Sequence, residues 1–216
     1  MSEAVSSAPR VLRSDAIAAV IKAGRDAASR GWAPATSGNF SVRIDADEIA
    51  ITRSGVDKGA LVPADILIQS LRDPLLPGSS AEARLHTSRY LANPHTGAIF
   101  HTHGLNSTVL GKAHEKSRGL TLTGWELQKA FAGVRTHEAA IEVPIFANDQ
   151  DVDALAERVE ARLTQTAAAG TIRAPGYLIS GHGLYAFGAS PAEAARHLEA
   201  FETLFAQLLA YKSYTS

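Results

Sequence analysis

Two histidines one residue apart sit at the centre of FHTHGLNS, residues 100–107. In an extended strand, side chains at i and i+2 share a face, so His101 and His103 would offer two imidazoles to one metal. His182, in SGHGL, is the natural third ligand, because its flanking glycines let the backbone turn sharply and leave room beside the ring. Three neutral imidazoles with one open position describe a catalytic site rather than a closed structural one. The open position would take a substrate oxygen, polarise a carbonyl and stabilise an enediolate. The competing reading is of ordinary hydrogen-bonded histidines at a strand end and a turn. His86, His95, His114, His137 and His197 read as surface or helix residues.

Such chemistry also needs a proton carrier and a grip on the substrate. Two carboxylates stand out: Glu82, after Ser79 and Ser80, and Glu126 in GWELQKAF. Trp125 and Leu127 beside Glu126 suggest apolar surroundings that would raise its pKa into the range of a general acid/base. A surface helix glutamate is the alternative, and local sequence does not choose between them. Small polar loops, with Asn39, Ser54, Gly55, Ser79 and Ser80, offer the amides and hydroxyls with which a neutral protein binds phosphate, although ordinary turns look the same. None matches a Walker loop or a dinucleotide fingerprint. Lys58 and Lys129 would add positive charge.

The elements that must position these residues follow from periodicity and turn chemistry. A helix is predicted from Ser14 to a C-cap at Gly31, with Ile17, Val20, Ile21 and Ala28 at helical spacing. TSGNFSVRI and EIAIT, joined by DAD, read as a hairpin; LIQSL reads as a strand. Helices are predicted over residues 81–92, from near Asn106, around 125–131 and over 151–168, with strands at GAIFHTH and EVPIF. YLISGHGLYAF reads as two strands bent at His182. In SPAEAARHLEAF, Ser190, Pro191 and Glu193 form a capping box that starts a terminal helix. Its Leu198, Phe201, Leu204, Phe205 and Leu208 form one apolar stripe. Hairpins mixed with helices predict an α/β fold with a largely antiparallel sheet covered by helices.

The 216 residues fit one compact domain, here residues 13–216, after a mobile tail over residues 1–12. With 21 Lys+Arg against 22 Asp+Glu and no long run of either sign, nothing recommends nucleic acid or an anionic membrane as partner, which leaves a small molecule. No cysteine means that any metal is held by nitrogen and oxygen, with Zn, Mn, Fe or Co as candidates. Neither a signal peptide nor a membrane-spanning run is visible, which predicts a soluble, cytoplasmic protein.

In this order, TSGNFSVRI, ITRSGVDKG, SSAE, FHTHGLNS and SGHGLYAFG resemble the class II aldolase/adducin family over roughly residues 14–212. Within it, GWELQKAF, THE and VPIFANDQD resemble the methylthioribulose-1-phosphate dehydratases of methionine salvage. The resemblance implies a three-layer α/β/α fold with a central mixed sheet. It also implies a homotetramer with sites near subunit contacts, and one divalent metal per subunit, usually zinc. His101, His103 and His182 match the metal ligands, and Asn39, Ser54, Gly55, Ser79 and Ser80 fall in the phosphate-binding segments. Glu126 matches the acid/base of the dehydratases, and Glu82 matches the glutamate that sugar-phosphate aldolases use beside the metal. Ala81 separates Ser80 from Glu82, where the aldolases commonly carry a serine pair directly before the glutamate. The implied activity is dehydration of 5-methylthioribulose 1-phosphate to 2,3-diketo-5-methylthiopentyl 1-phosphate. An aldolase or pentulose-phosphate 4-epimerase on the same scaffold is the nearest alternative, and a non-catalytic adducin-like interaction domain is a remote one.

Overall fold

The computed structural model describes residues 11–215. The tail expected over residues 1–12 lies outside the described residues up to residue 10, and the Val11 amide donates to the Ile44 carbonyl at 2.8 Å. The first helix, α1 (Arg13–Ser29), leads to the hairpin of β1 (Asn39–Arg43) and β2 (Glu48–Thr52), with Ser41 opposite Ile51. Next come β3 (Ile66–Ser70), α2 (Ala83–Ala92), β4 (Ala98–Thr102) and α3 (Leu105–Ala113). The chain continues through β5 (Gly119–Leu122), β6 (Ala140–Phe146), α4 (Val152–Thr164) and β7 (Thr171–Arg173). It closes with β8 (Gly176–Ile179), β9 (Gly183–Gly188) and α5 (Pro191–Thr215).

The strands form one sheet in the order β3-β2-β1-β4-β9-β8-β6-β5, with β7 also on β6. Pairing is parallel where β6 meets β7 and β8, and antiparallel at the other ladders. Strand alternation sends Phe40, Val42, Ala98 and Phe100 into a core shared with α1 and α5, and Ile49, Ile51 and Ile99 into a second core under α2 and α4. Both faces are therefore dry, giving three layers. The α5 stripe supplies Phe201, Leu204 and Phe205, each 0% exposed; Leu204→Ala would cost about 2–5 kcal/mol. Among the described residues no helix is long and apolar enough to cross a membrane.

Three local details differ from expectation. The second helix begins at Ala83 rather than residue 81, with Ser80 Oγ accepting the Glu82 amide at 3.2 Å. The fourth helix stops at Thr164 because Gln165 turns extended (ψ 145°), and the chain then adds β7. At α5, Ser190 Oγ accepts the Glu193 amide, but the Glu193 carboxylate takes the Ala189 amide rather than that of Ser190.

Candidate metal centre and its pocket

Four elements deliver one cluster. Strand β4 carries His101, and His103 follows just beyond its end, where its amide donates to the Trp32 carbonyl at 2.8 Å. Because β9 pairs antiparallel with β4, placing Tyr185 opposite His101, the β8–β9 turn brings His182 to the same end of the sheet. That turn requires its glycines: Gly181 has φ 63°, and a Cβ on Gly183 would lie 2.0 Å from the Thr102 carbonyl oxygen. Glu82 enters from the start of α2. One ligand atom from each of Glu82, His101, His103 and His182 lies within 4.8 Å of the others. His182 Nε2 is 2.8 Å from Glu82 Oε1, and His101 Nε2 is 3.0 Å from His103 Nε2.

The protonation pattern suits a cation. Burial pushes the His101 ring well below its usual pKa and His103 down to about 4, so both are neutral near pH 7. Burial alone would raise the Glu82 carboxyl, but hydrogen bonds from His182 and Asn39 and the His101 ring bring it down to about 2. His101 Nδ1 faces the Leu184 carbonyl at 3.0 Å, which fixes the proton there and turns the Nε2 lone pair into the cluster. With His101 Nε2 and His103 Nε2 facing each other, this set of neutral nitrogens and one carboxylate fits a divalent first-row ion.

Behind the cluster, each group is held. Asn39 donates to Glu82 Oε2 at 2.6 Å, and its carbonyl oxygen meets His86 Nε2 at 2.5 Å. His86 Nδ1 continues to Ser41 Oγ at 2.7 Å, and Ser41 to the Tyr90 hydroxyl at 2.9 Å. Sequence reasoning set His86 aside as a surface or helix residue. It is 0% exposed, and burial holds it neutral with a pKa of about 3. Its place four residues after Glu82, the N-cap of the same helix, was the available signal. Asn148, in ANDQD, places Oδ1 3.3 Å from His182 Nδ1, and Tyr185 stacks on His101 at 4.0 Å between ring centroids. Such outer partners orient ligands and set their tautomers.

In front of the cluster lies a cleft of about 440 Å³. Asn39, Ser54, Gly55, Ser80, Glu82, His103 and His182 line it, together with Arg53, Ser37 and Asn148. Arg53 escaped the sequence reading; it makes no ion pair among the described residues, which leaves its charge available to an anion. Ser79 does not line the cleft, and its hydroxyl is buried without a partner among the described residues. Asn39 lines the cleft, but its amide is committed to Glu82 and His86.

Glu126 lies elsewhere. It opens the short 3-10 turn Glu126–Ala130, beside a separate open hollow with Trp125, Leu127, Ala130 and Gln207. The carboxylate does not sit in the apolar surroundings expected from Trp125 and Leu127, because the turn directs it outward. Its side chain is 70% exposed, bonded to Lys129, with His137 Nδ1 at 3.8 Å. The hydrogen bond from Lys129 holds its pKa below the usual carboxylate range.

A relative named methylthioribulose-1-phosphate dehydratase, from a Bradyrhizobium species, is 60% identical over 93% of each chain. Another of that name, from Parvibaculum lavamentivorans, is 47% identical over 91% of this chain and 94% of its own. Among solved structures, L-fuculose-1-phosphate aldolase from Thermus thermophilus superposes with a TM-score of 0.76 at 28% identity, covering 94% of this chain and 98% of the other. The pattern of the class II aldolase and adducin N-terminal domain matches residues 18–209, and the chain belongs to that family.

Proposed function

We propose that this chain is a metal-dependent methylthioribulose-1-phosphate dehydratase, one catalytic domain over residues 13–216 that acts in methionine salvage in the cytoplasm. The observation that carries the reading is the 60% identity over 93% of the chain to a relative of that name. The convergence of three histidines and Glu82 beside a cleft with an unpaired arginine supports it.

His101, His103 and His182 would hold the ion, with Glu82 in reach, and zinc suits the nitrogen-rich set. When bound there, an ion would supply Lewis-acid chemistry toward the C2 carbonyl of 5-methylthioribulose 1-phosphate, which would acidify the C3 proton. Ser54, Gly55 and Ser80, with Arg53, take the phosphate, so the sugar carbons extend toward the histidines. A base then removes the C3 proton, an acid protonates the departing C4 hydroxyl, and the resulting enol becomes the 2,3-diketone. Asn39, fixed by His86, keeps Glu82 aimed at the cluster.

Glu126 is the acid/base, and it comes from a neighbouring subunit of a homotetramer. Three features support this: Glu126 does not line its own cleft, an apolar hollow lies beside it, and exposed Tyr211 packs on the neighbouring Trp125.

A second reading, aldol cleavage of a sugar phosphate, is favoured by Glu82 beside the histidines and by the likeness to a fuculose-phosphate aldolase. Mass spectrometry of the products from zinc-loaded protein and 5-methylthioribulose 1-phosphate separates the two. Loss of one water with the carbon chain intact is the expected result. Two fragments would move the chemistry to Glu82 and the aldolase reading; an unchanged substrate would reject the dehydratase.

A further inference from the structure

Lys58 is 1% exposed, a position in which an ammonium is costly unless its charge is met. Among the described residues no carboxylate lies within ion-pair distance of it. Its Nζ donates instead to two backbone carbonyls, Thr36 at 2.7 Å and Val56 at 2.9 Å. These belong to the two loops that form the polar end of the cleft: Thr36 and Ser37 line it from one side, Ser54 and Gly55 from the other.

The first loop is strained. Ala35 and Thr36 carry φ of 50° and 62°, the left-handed region that side chains other than glycine avoid. Such a backbone persists when its surroundings hold it, and the bond from Lys58 to the Thr36 carbonyl is a direct hold. Ser37 Oγ, the next side chain along, is buried without a partner among the described residues. A hydroxyl is thus left unanswered at this end of the cleft, beside an ammonium met by two carbonyls and, through space, by Asp57 and Glu82.

We propose that Lys58 is the positioning residue of the phosphate end, a clamp whose ammonium ties the Thr36 and Val56 carbonyls and so fixes both loops before the substrate's phosphate arrives. The inference rests on the placement of the phosphate given above. Lys58 does not line the cleft, and its hydrogen bonds go to the two loops, so its main effect falls on how tightly an anion is held; its charge reaches Glu82 and His103 only through space.

The test compares zinc-loaded, full-length wild type with Lys58→Met, which keeps an unbranched chain of nearly the same length and removes its charge. Binding of inorganic phosphate is measured by calorimetry, together with KM and kcat for the sugar phosphate. Lys58→Met is expected to weaken phosphate binding and raise KM by on the order of 10-fold to 100-fold, with zinc content unchanged and kcat much less affected. Unchanged phosphate affinity, or a fall in kcat at constant KM, would overturn the clamp. Should Lys58→Met not fold alone, it is compared in a Thr36→Gly background, where the left-handed backbone at residue 36 carries no penalty, with the same loss expected. The outcome is separable from that of the dehydratase reading. Wild type that binds phosphate without dehydrating the substrate defeats that reading alone, whereas an active wild type with an indifferent Lys58→Met defeats the clamp alone.

Discussion

Around His101 each polar group is tied to another, and all but the partly exposed Glu82 are buried: His101 to Leu184, Glu82 to Asn39, Asn39 to His86, His86 to Ser41. Around Glu126 the carboxylate is 70% exposed, and its partners are Lys129 and His137 on the same surface. The first region is complete within one chain, because β4, β9 and α2 fix its members relative to one sheet end. The second is a carboxylate that does not line that cleft; in the function proposed above, a neighbouring subunit brings a substrate to it. The difference teaches that preorganisation inside a fold and preorganisation across a contact leave different marks, dense hydrogen bonding in one case and an exposed functional group beside apolar surface in the other.

The sharpest blow to the complete region is His103→Ala. With one of three nitrogens gone, the protein should purify with little metal, and turnover should fall on the order of 10³-fold, the equivalent of several kcal/mol of Lewis-acid stabilisation. Metal analysis checks it, and full zinc content in the variant would remove His103 from the ligand set.

Glu126→Gln strikes the other region. Metal content and thermal midpoint should match wild type while turnover drops on the order of 10²-fold or more. Undiminished turnover would end its role as acid/base.

A smaller effect is expected one layer out. Asn148→Ala leaves the ligands in place but frees His182 Nδ1, and should weaken zinc affinity about 10-fold in a competition titration with a chelator. An unchanged affinity would make Asn148 a bystander in the cleft.

The mildest is Lys129→Met. Lys129 holds the Glu126 carboxyl below its usual range, so removing it raises that pKa. Glu126 must be ionised to act as a base, and it then loses its proton only at higher pH. The acid limb of the rate profile should therefore move upward in Lys129→Met, and a stationary limb would separate this carboxyl from the rate.

Much of this arrangement can be read in the sequence where local rules decide it. The TSGNFSVRI–EIAIT hairpin and the Ser190–Pro191 start of α5 follow from alternation and capping, and both stand in the structure. His101 and His103 meet because a strand repeats every two residues, and His182 joins them because Gly183 lets β9 approach Thr102. What escaped depends on tertiary placement. The strands β5 and β7 have four and three residues, too few to show a period. The burial of His86 and its grip on Asn39 arise only once α2 packs over β1. For Glu126, the apolar neighbours in sequence were Trp125 and Leu127, but the 3-10 turn sends its carboxylate the other way.

The central claim is that Glu126 completes the site of another subunit, and complementation tests it most directly. His103→Ala subunits keep Glu126 and lack the metal; Glu126→Gln subunits keep the metal and lack the acid/base. Unfolded together and refolded into mixed tetramers, two nearly inactive parents should yield assemblies that dehydrate the substrate, since a metal-bearing cleft then meets an intact Glu126 from its neighbour. Mixed assemblies, verified by native mass, that remain as inactive as their parents would contradict the account.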